Sequence, residues 1–243
     1  MKNRVAVITG ASVGIGRATA LKMAEKGAKT VLLDINPETL ERTRKEVEAI
    51  NPNVLAFVCD VSCEEQVNEV LSKAKEKFGP VDILVNNAAL WRYVDTFLNV
   101  STEIWKKYID VNVMGTVYMT RAVLGDMITR QYGRIINVAS VAGYYGNANM
   151  SHYSATKGAV ISFTQALAKE VADKGVLVKC VSPGTVSSSE DEDINHYEEN
   201  PRNYMGRTGT DAENANLICF LASDKATYIS GQNILIDGCR KII

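Results

Sequence analysis

The chain has 243 residues, 46% hydrophobic and 23% charged, the composition of an ordinary soluble globular protein. A formal net charge of −1 gives no electrostatic case for nucleic acid or an anionic membrane as a partner. No apolar run approaches the roughly 18 residues that span a bilayer.

The five cysteines, Cys59, Cys63, Cys180, Cys219 and Cys239, contain no Cys-x-x-Cys pair and read as reduced thiols in a cytoplasmic chain. The two histidines belong to no His/Cys/carboxylate cluster at ligand spacing, so no metal site is expected. Met1-Lys2-Asn3-Arg4 before an apolar run resembles a secretory signal, but Thr9, Gly10 and Ser12 break that run, and none is expected.

In chain order, Arg4 to Thr9 reads as a short buried strand. Gly10-Ala11-Ser12-Val13-Gly14-Ile15-Gly16 follows at once, and Arg17 to Lys26 carries a helical pattern. Strand, glycine turn and helix form the context of a dinucleotide-binding turn. Glycines let the backbone approach a pyrophosphate, and the helix N-terminus offers it free N–H groups. The spacing is Gly-x-x-x-Gly-x-Gly rather than Gly-x-Gly-x-x-Gly, and a plain tight turn is the competing reading. The next strand, Thr30 to Asp34, ends in a carboxylate eighteen residues after Gly16. That is close to the spacing of an acid that binds adenosine ribose hydroxyls and repels a 2′-phosphate, favouring NAD; alternatively Asp34 only opens the turn Ile35-Asn36-Pro37.

Val54 to Cys59 is a third strand, Glu64 to Phe78 a helix, Val81 to Val85 a fourth strand and Ser101 to Arg130 a helical stretch. Arg134 to Ser140 is a fifth strand, leaving the Ser140 hydroxyl at the carboxyl end of the sheet. In Ser151-His152-Tyr153-Ser154-Ala155-Thr156-Lys157, Tyr153 and Lys157 lie four apart and share one helix face. A positive charge beside a phenol favours the phenolate, so Lys157 is expected to lower the Tyr153 pKa and make it a general acid/base. An ordinary surface pair is the alternative. His152 is expected to be a partly exposed polar residue, with pocket lining as the alternative. Val176 to Ser182 and Asn233 to Asp237 are the last two strands. This alternation predicts a Rossmann-like, doubly wound, parallel seven-stranded α/β sheet with helices on both faces, residues 1–243 forming one dinucleotide-binding and catalytic domain. Val186 to Arg207 breaks the rhythm with few apolar and many acidic residues, and reads as a mobile loop or a solvated flap.

From Arg4 to about Asp237 the chain resembles the short-chain dehydrogenase/reductase family, single-domain branch. Thr9-Gly10-Ala11-Ser12-Val13-Gly14-Ile15-Gly16 matches its cofactor motif, Asp60-Val61 its adenine-contacting pair, and Asn86-Asn87-Ala88-Ala89 its Asn-Asn-Ala-Gly segment, with Ala89 where Gly is usual. Asn112, Ser140, Tyr153 and Lys157 match the catalytic tetrad. Pro183-Gly184, with Val186 and with Ser188 in place of the usual Thr, matches the segment over the nicotinamide.

The resemblance implies that Ser140 polarises a carbonyl and Tyr153 moves the proton. Lys157 would hold the nicotinamide ribose, and Asn112 would position a water linking Lys157 to solvent. Read without the resemblance, Ser140 is a cap and Asn112 a packing amide. The resemblance also implies a lid at about 186–207. It implies a homo-oligomer, tetramer or dimer, through the helices around Tyr108 to Met127 and Val160 to Val171, whose apolarity alone could equally be core.

The pocket lining is expected to include Trp91, Tyr93, Tyr144, Tyr145, Asn147 and Met150, with Tyr197 and Met205 from the lid. Aromatics beside flexible Met suit an apolar, cyclic secondary alcohol or ketone such as a hydroxysteroid. The expected activity is NAD(H)-dependent interconversion of such an alcohol and ketone. A 3-oxoacyl-thioester (acyl-carrier-protein) reductase using NADPH, with Arg130 and Lys174 as basic contacts, is the first alternative. A non-catalytic nucleotide-binding regulator is the second.

Overall fold

The structure is a computed structural model that describes residues 1–187 and 193–241. Ser188, expected at the cofactor, lies outside the described residues.

Buried strands set the frame. β1 (Val5–Thr9), β2 (Lys29–Asp34), β3 (Val54–Val58), β4 (Ile83–Asn86), β5 (Gly133–Val138), β6 (Val176–Pro183) and β9 (Asn233–Ile236) form one parallel sheet in the order β3-β2-β1-β4-β5-β6-β9. Side chains alternate across it, as the strand period of two requires. Val5, Val7, Val31, Leu33, Leu84 and Ile135 join one core layer with α3 (Glu64–Phe78), α5 (Gly115–Thr129) and α7 (Ser151–Val171). Ala6, Ile8, Leu32, Ile83 and Ile136 join the other with α1 (Gly14–Glu25), α2 (Pro37–Ile50) and α8 (Asp211–Ala222). With both faces covered, the strands read as near-continuous apolar runs, which is why they were legible. Strand order reverses between β1 and β4, and ligands in open α/β sheets bind at the carboxyl ends of the strands at such a switch point.

Three details depart from the sequence reading. The stretch expected as one helix is α4 (Thr102–Ile109), a wider π-type turn over Asp110–Met114, and α5. A two-residue parallel pair, β7 (Val186–Ser187) and β8 (Gly209–Thr210), holds the ends of the acidic segment together. That segment's described part is laced to the chain rather than free. Glu199 bridges Arg207, Thr208 donates its N–H to Glu198, and Tyr204 and Met205 donate theirs to Cys239 and Gly238.

The apolar content around Tyr108 to Met127 and Val160 to Val171 is divided: Ile109 is exposed, and Val113, Met114 and Val117 are only partly buried. Tyr108, Met119, Val123, Met127, Val160, Leu167 and Val171 are all buried.

Candidate active site

The glycine turn after β1 is shaped by steric necessity. Gly10 and Gly14 have positive φ, and a Cβ on Gly16 would stand 1.9 Å from the Gly10 carbonyl oxygen. Asn87 clasps the turn from the end of β4, its Nδ2 donating to the carbonyls of Thr9 and Gly10 at 3.0 Å each. Thr9 Oγ1 accepts the N–H groups of Asn87 and Ala88, a brace the sequence reading did not single out.

Helix α1 then begins without a side-chain cap at Val13 and without an acid in its first turn. The N-termini of α2, α4 and α8 are capped by Asn36, Ser101 and Thr210. An uncapped N-terminus behind a glycine cradle leaves N–H donors and the positive dipole end for a phosphate. Asp34 stands beside it, Oδ2 accepting from Ser12 N at 3.1 Å and Oδ1 from Asn36 N at 3.1 Å. These residues fit a dinucleotide: Gly10, Ser12 and Val13 to Gly16 would surround the pyrophosphate, and Asp34 would meet the ribose.

The other expected cofactor residues line the same sheet edge. Asp60 accepts from Ser62 N and Ser62 Oγ, which folds the turn after β3. Val61 is buried under Gly115, where an added Cβ would sit 2.7 Å from Val61 Cγ2. Pro183 ends β6, Gly184 donates its N–H to Ile236 O at 3.0 Å, and Val186 lies in β7.

The chemistry-bearing side chains converge across β5 and α7. Ser140 caps α6 (Val141–Tyr145), its Oγ accepting from Ala142 N at 3.1 Å, so the capping alternative holds. The same hydroxyl is near enough to Tyr153 to draw its phenol pKa down. Lys157 lies on the same face of α7, Nζ 5.9 Å from the Tyr153 ring centroid, and donates to Val138 O at 2.7 Å. Burial pushes the ammonium down to about 8, with neighbouring Cys180 opposing the shift. Burial also holds the Tyr153 phenol above its ordinary value; the Ser140 hydroxyl pulls it down and Tyr108 adds to the rise. The expected lowering of Tyr153 by Lys157 is thus corrected: desolvation is the larger effect.

Asn112, 1% exposed and inside the π-type turn, spends its amide on protein. Oδ1 accepts from Leu90 N at 2.7 Å, and Nδ2 donates to Leu90 O and to Thr156 Oγ1 at 3.0 and 3.1 Å. It therefore ties the segment after β4 to α7. Thr156, the residue before Lys157, was not anticipated.

The candidate substrate residues form a rim. Trp91 and Tyr93 lie on the segment after β4, which is joined to the α6–α7 connection by Asp95 N donating to Asn149 O at 2.9 Å. Tyr145 packs edge-on against Tyr144. Asn147 donates its N–H to Ser154 Oγ and accepts from Arg240 Nη2 at 2.9 Å, and Met150 precedes α7. His152 overturns its expected exposure: it is completely buried among Tyr93, Trp105 and Tyr108.

The family model for short chain dehydrogenases matches residues 4–199. The chain belongs to the short chain dehydrogenase family. This dehydrogenase is 38% identical to the 3-oxoacyl-[acyl-carrier-protein] reductase FabG of Thermotoga maritima, over 98% of each chain. Among solved structures it superposes on levodione reductase (TM-score 0.90, 31% identity, 98% of this chain and 97% of that one). It superposes equally on NAD+-bound xylitol dehydrogenase (TM-score 0.90, 31% identity, 98% of each chain). The dehydrogenase is accordingly an oxidoreductase of the kind that binds a nicotinamide cofactor and acts on small molecules. Among the described residues, no helix is long and apolar enough to cross a membrane.

Proposed function

We propose that this chain interconverts a secondary alcohol and a ketone using NAD(H), with Tyr153 as general acid/base. One observation carries the reading: Ser140 at the carboxyl end of β5 lies beside Tyr153, and Lys157 stands on the same face of α7 with Nζ 5.9 Å from the Tyr153 ring centroid. The nicotinamide, when bound, supplies or accepts the hydride.

Reduction builds negative charge on the carbonyl oxygen, which needs hydrogen-bond donors and a proton. The raised Tyr153 phenol keeps its proton at neutral pH, the state that reduces a ketone. Ser140 polarises the carbonyl and orients the phenol. Lys157, with a value of about 8, is mostly cationic at pH 7 and holds the ribose while anchored on Val138 O. Asn112 and Thr156 keep the segment after β4 in register with these groups. The described residues from 193 to 207 cover the substrate, and the functional unit is a homo-oligomer in the cytoplasm.

Asp34 supports NAD over NADP, because a carboxylate at the ribose repels a 2′-phosphate. The exposed aromatics Trp91, Tyr93 and Tyr145 support an apolar, ring-shaped substrate. The similarity to enzymes named levodione reductase and xylitol dehydrogenase supports alcohol–ketone chemistry.

A second reading, a 3-oxoacyl-thioester reductase using NADPH, is favoured by the 38% identity to the Thermotoga maritima reductase. Against it, the two basic residues expected to meet an acidic carrier already make bonds within the chain. Arg130 donates to Asp82 Oδ1 at 2.6 Å and to Val81 O, and Lys174 donates to Glu170 O.

The test is the rate of NADH and, separately, NADPH oxidation over ring ketones, small diketones and a 3-oxoacyl thioester, for the wild type and Tyr153→Phe. We expect NADH-linked turnover of a ring ketone. The phenylalanine variant should lower kcat by at least about 100-fold, the scale of a lost general acid, and leave NADH affinity within about twofold. Undiminished activity in the variant removes Tyr153 from the mechanism. Turnover of the thioester alone, with NADPH, moves the chain to the second reading.

A further inference from the structure

His152 directly precedes Tyr153 and has 0% exposure. Its ring meets three aromatic rings edge-on: Tyr108 at 4.4 Å and Trp105 at 6.1 Å from α4, and Tyr93 at 5.8 Å from the segment after β4. Neither imidazole nitrogen has a hydrogen-bond partner of normal geometry; the nearest polar group is the Tyr93 backbone, in loose contact. The cage is closed from outside by Tyr93 N donating to Tyr108 Oη at 3.0 Å. The imidazole is thus the inner surface on which Tyr93 and its neighbours rest, at the first turn of the helix that carries the reactive phenol.

We infer that His152 is a positioning residue, a neutral imidazole that holds the aromatic substrate wall against the helix of Tyr153. This rests on the reading of Trp91 and Tyr93 as the substrate side of the site. Three edge-to-face contacts dock the ring to α4 and the wall, and each such pair contributes beyond its buried area. An imidazolium there would be a buried charge with no counter-ion, since the titratable groups facing it are the phenols of Tyr93 and Tyr108, and no carboxylate or cation pairs with it among the described residues.

The sign of the acid effect follows. Burial lowers the His152 pKa in the closed wall, whereas a released, hydrated imidazole titrates near its ordinary value of about 6.5. Above about 6.5 both states are neutral and the closed wall keeps its full advantage. As pH falls below that, only the open state takes up a proton, and closure weakens by at most about tenfold per pH unit.

The test combines kinetics with fluorescence. Lowering pH from about 7.5 to about 5 should raise the wild-type KM for ketone at least about fivefold, within the tenfold-per-unit limit, while KM for NADH changes less than about twofold. His152→Phe keeps an aromatic ring but has nothing to protonate, so its ketone KM should stay flat over that range. His152→Ala should raise ketone KM about tenfold at every pH, with kcat near wild type. A wild-type KM that does not move with pH, or an acid rise that persists in His152→Phe, overturns the inference.

The second readout needs no substrate. The chain has two tryptophans, so Trp91→Phe leaves Trp105, in contact with His152, as the only one. Its emission should titrate in acid in Trp91→Phe and be flat in Trp91→Phe/His152→Phe. Identical titrations in the two proteins overturn the inference. If the wild type reduces no ketone at all, the functional reading fails while this titration still decides His152.

Discussion

Asp34 braces two turns at the place proposed for the ribose, so the two roles that the sequence presents as alternatives are compatible. Its carboxylate accepts from Asn36 N, opening the turn into α2, and from Ser12 N, fixing the glycine turn beside the ribose position. A brace and a ribose ligand can therefore be the same group, and substitution separates them. Asp34→Ala should raise KM for NADH about tenfold or more, because the ribose acceptor is lost. It should raise kcat/KM for NADPH relative to NADH by a similar factor, because the repulsion of a 2′-phosphate goes with it. Steady-state kinetics with both cofactors measure this. A loss in affinity with an unchanged cofactor ratio would leave Asp34 as a brace alone.

The positions proposed as catalytic stand out in the sequence because they sit in local motifs, four apart on α7 or at the end of a strand. His152 does not: its burial is made by Tyr93, Trp105 and Tyr108, 44 to 59 positions earlier in the chain, and no local pattern carries that contact. The Tyr153 shift was misread for the same reason, since desolvation comes from surroundings assembled by the whole fold.

At the scale of elements, α8 and α1 open in different ways. α8 opens with Thr210 and Glu213 bonding reciprocally, reinforced by Arg207 on Glu213 at 2.7 Å. α1 opens with none of this and depends on its glycine turn. Gly16→Ala tests that dependence, because the new Cβ would fall 1.9 Å from Gly10 O and 2.7 Å from Asn87 Nδ2. The turn must shift, so NADH affinity should drop at least about 100-fold by titration calorimetry, with a stability loss of about 1–3 kcal/mol in denaturant melts. A variant that binds NADH normally would show that the turn does not hold the pyrophosphate. The strands were readable as elements because parallel strands covered on both faces are apolar throughout. The π-type turn at Asn112 was not, because a local change of hydrogen-bond partner leaves the apolar spacing almost unaltered. The β7–β8 pair is too short to show any period.

At the scale of the whole molecule, the residues after β9 join parts of the site that are far apart in sequence. Arg240 donates to Asn147 Oδ1 on the rim at 2.9 Å and pairs with Asn203 in an antiparallel bridge. Lys241 donates its N–H to Arg202 O, while Gly238 and Cys239 accept from Met205 and Tyr204. The segment proposed to cover the substrate is thus held to the sheet by backbone bonds from the tail, and its far end is held to α8 by Arg207 on Glu213. Removing residues 239–243 deletes the first anchor and leaves the second. Residues 200–207 should then open more often, since local opening follows the loss of backbone bonds and packing. Trypsin should cut faster after Arg202 and Arg207. KM for ketone should rise about tenfold while KM for NADH, bound at the other end of the switch point, stays within about twofold. Arg240→Ala, which removes the guanidinium and spares the backbone bonds, should reproduce part of the KM change without the faster cleavage. A truncation that weakens ketone and NADH equally would mean that the tail supports the fold as a whole and does not govern the substrate side.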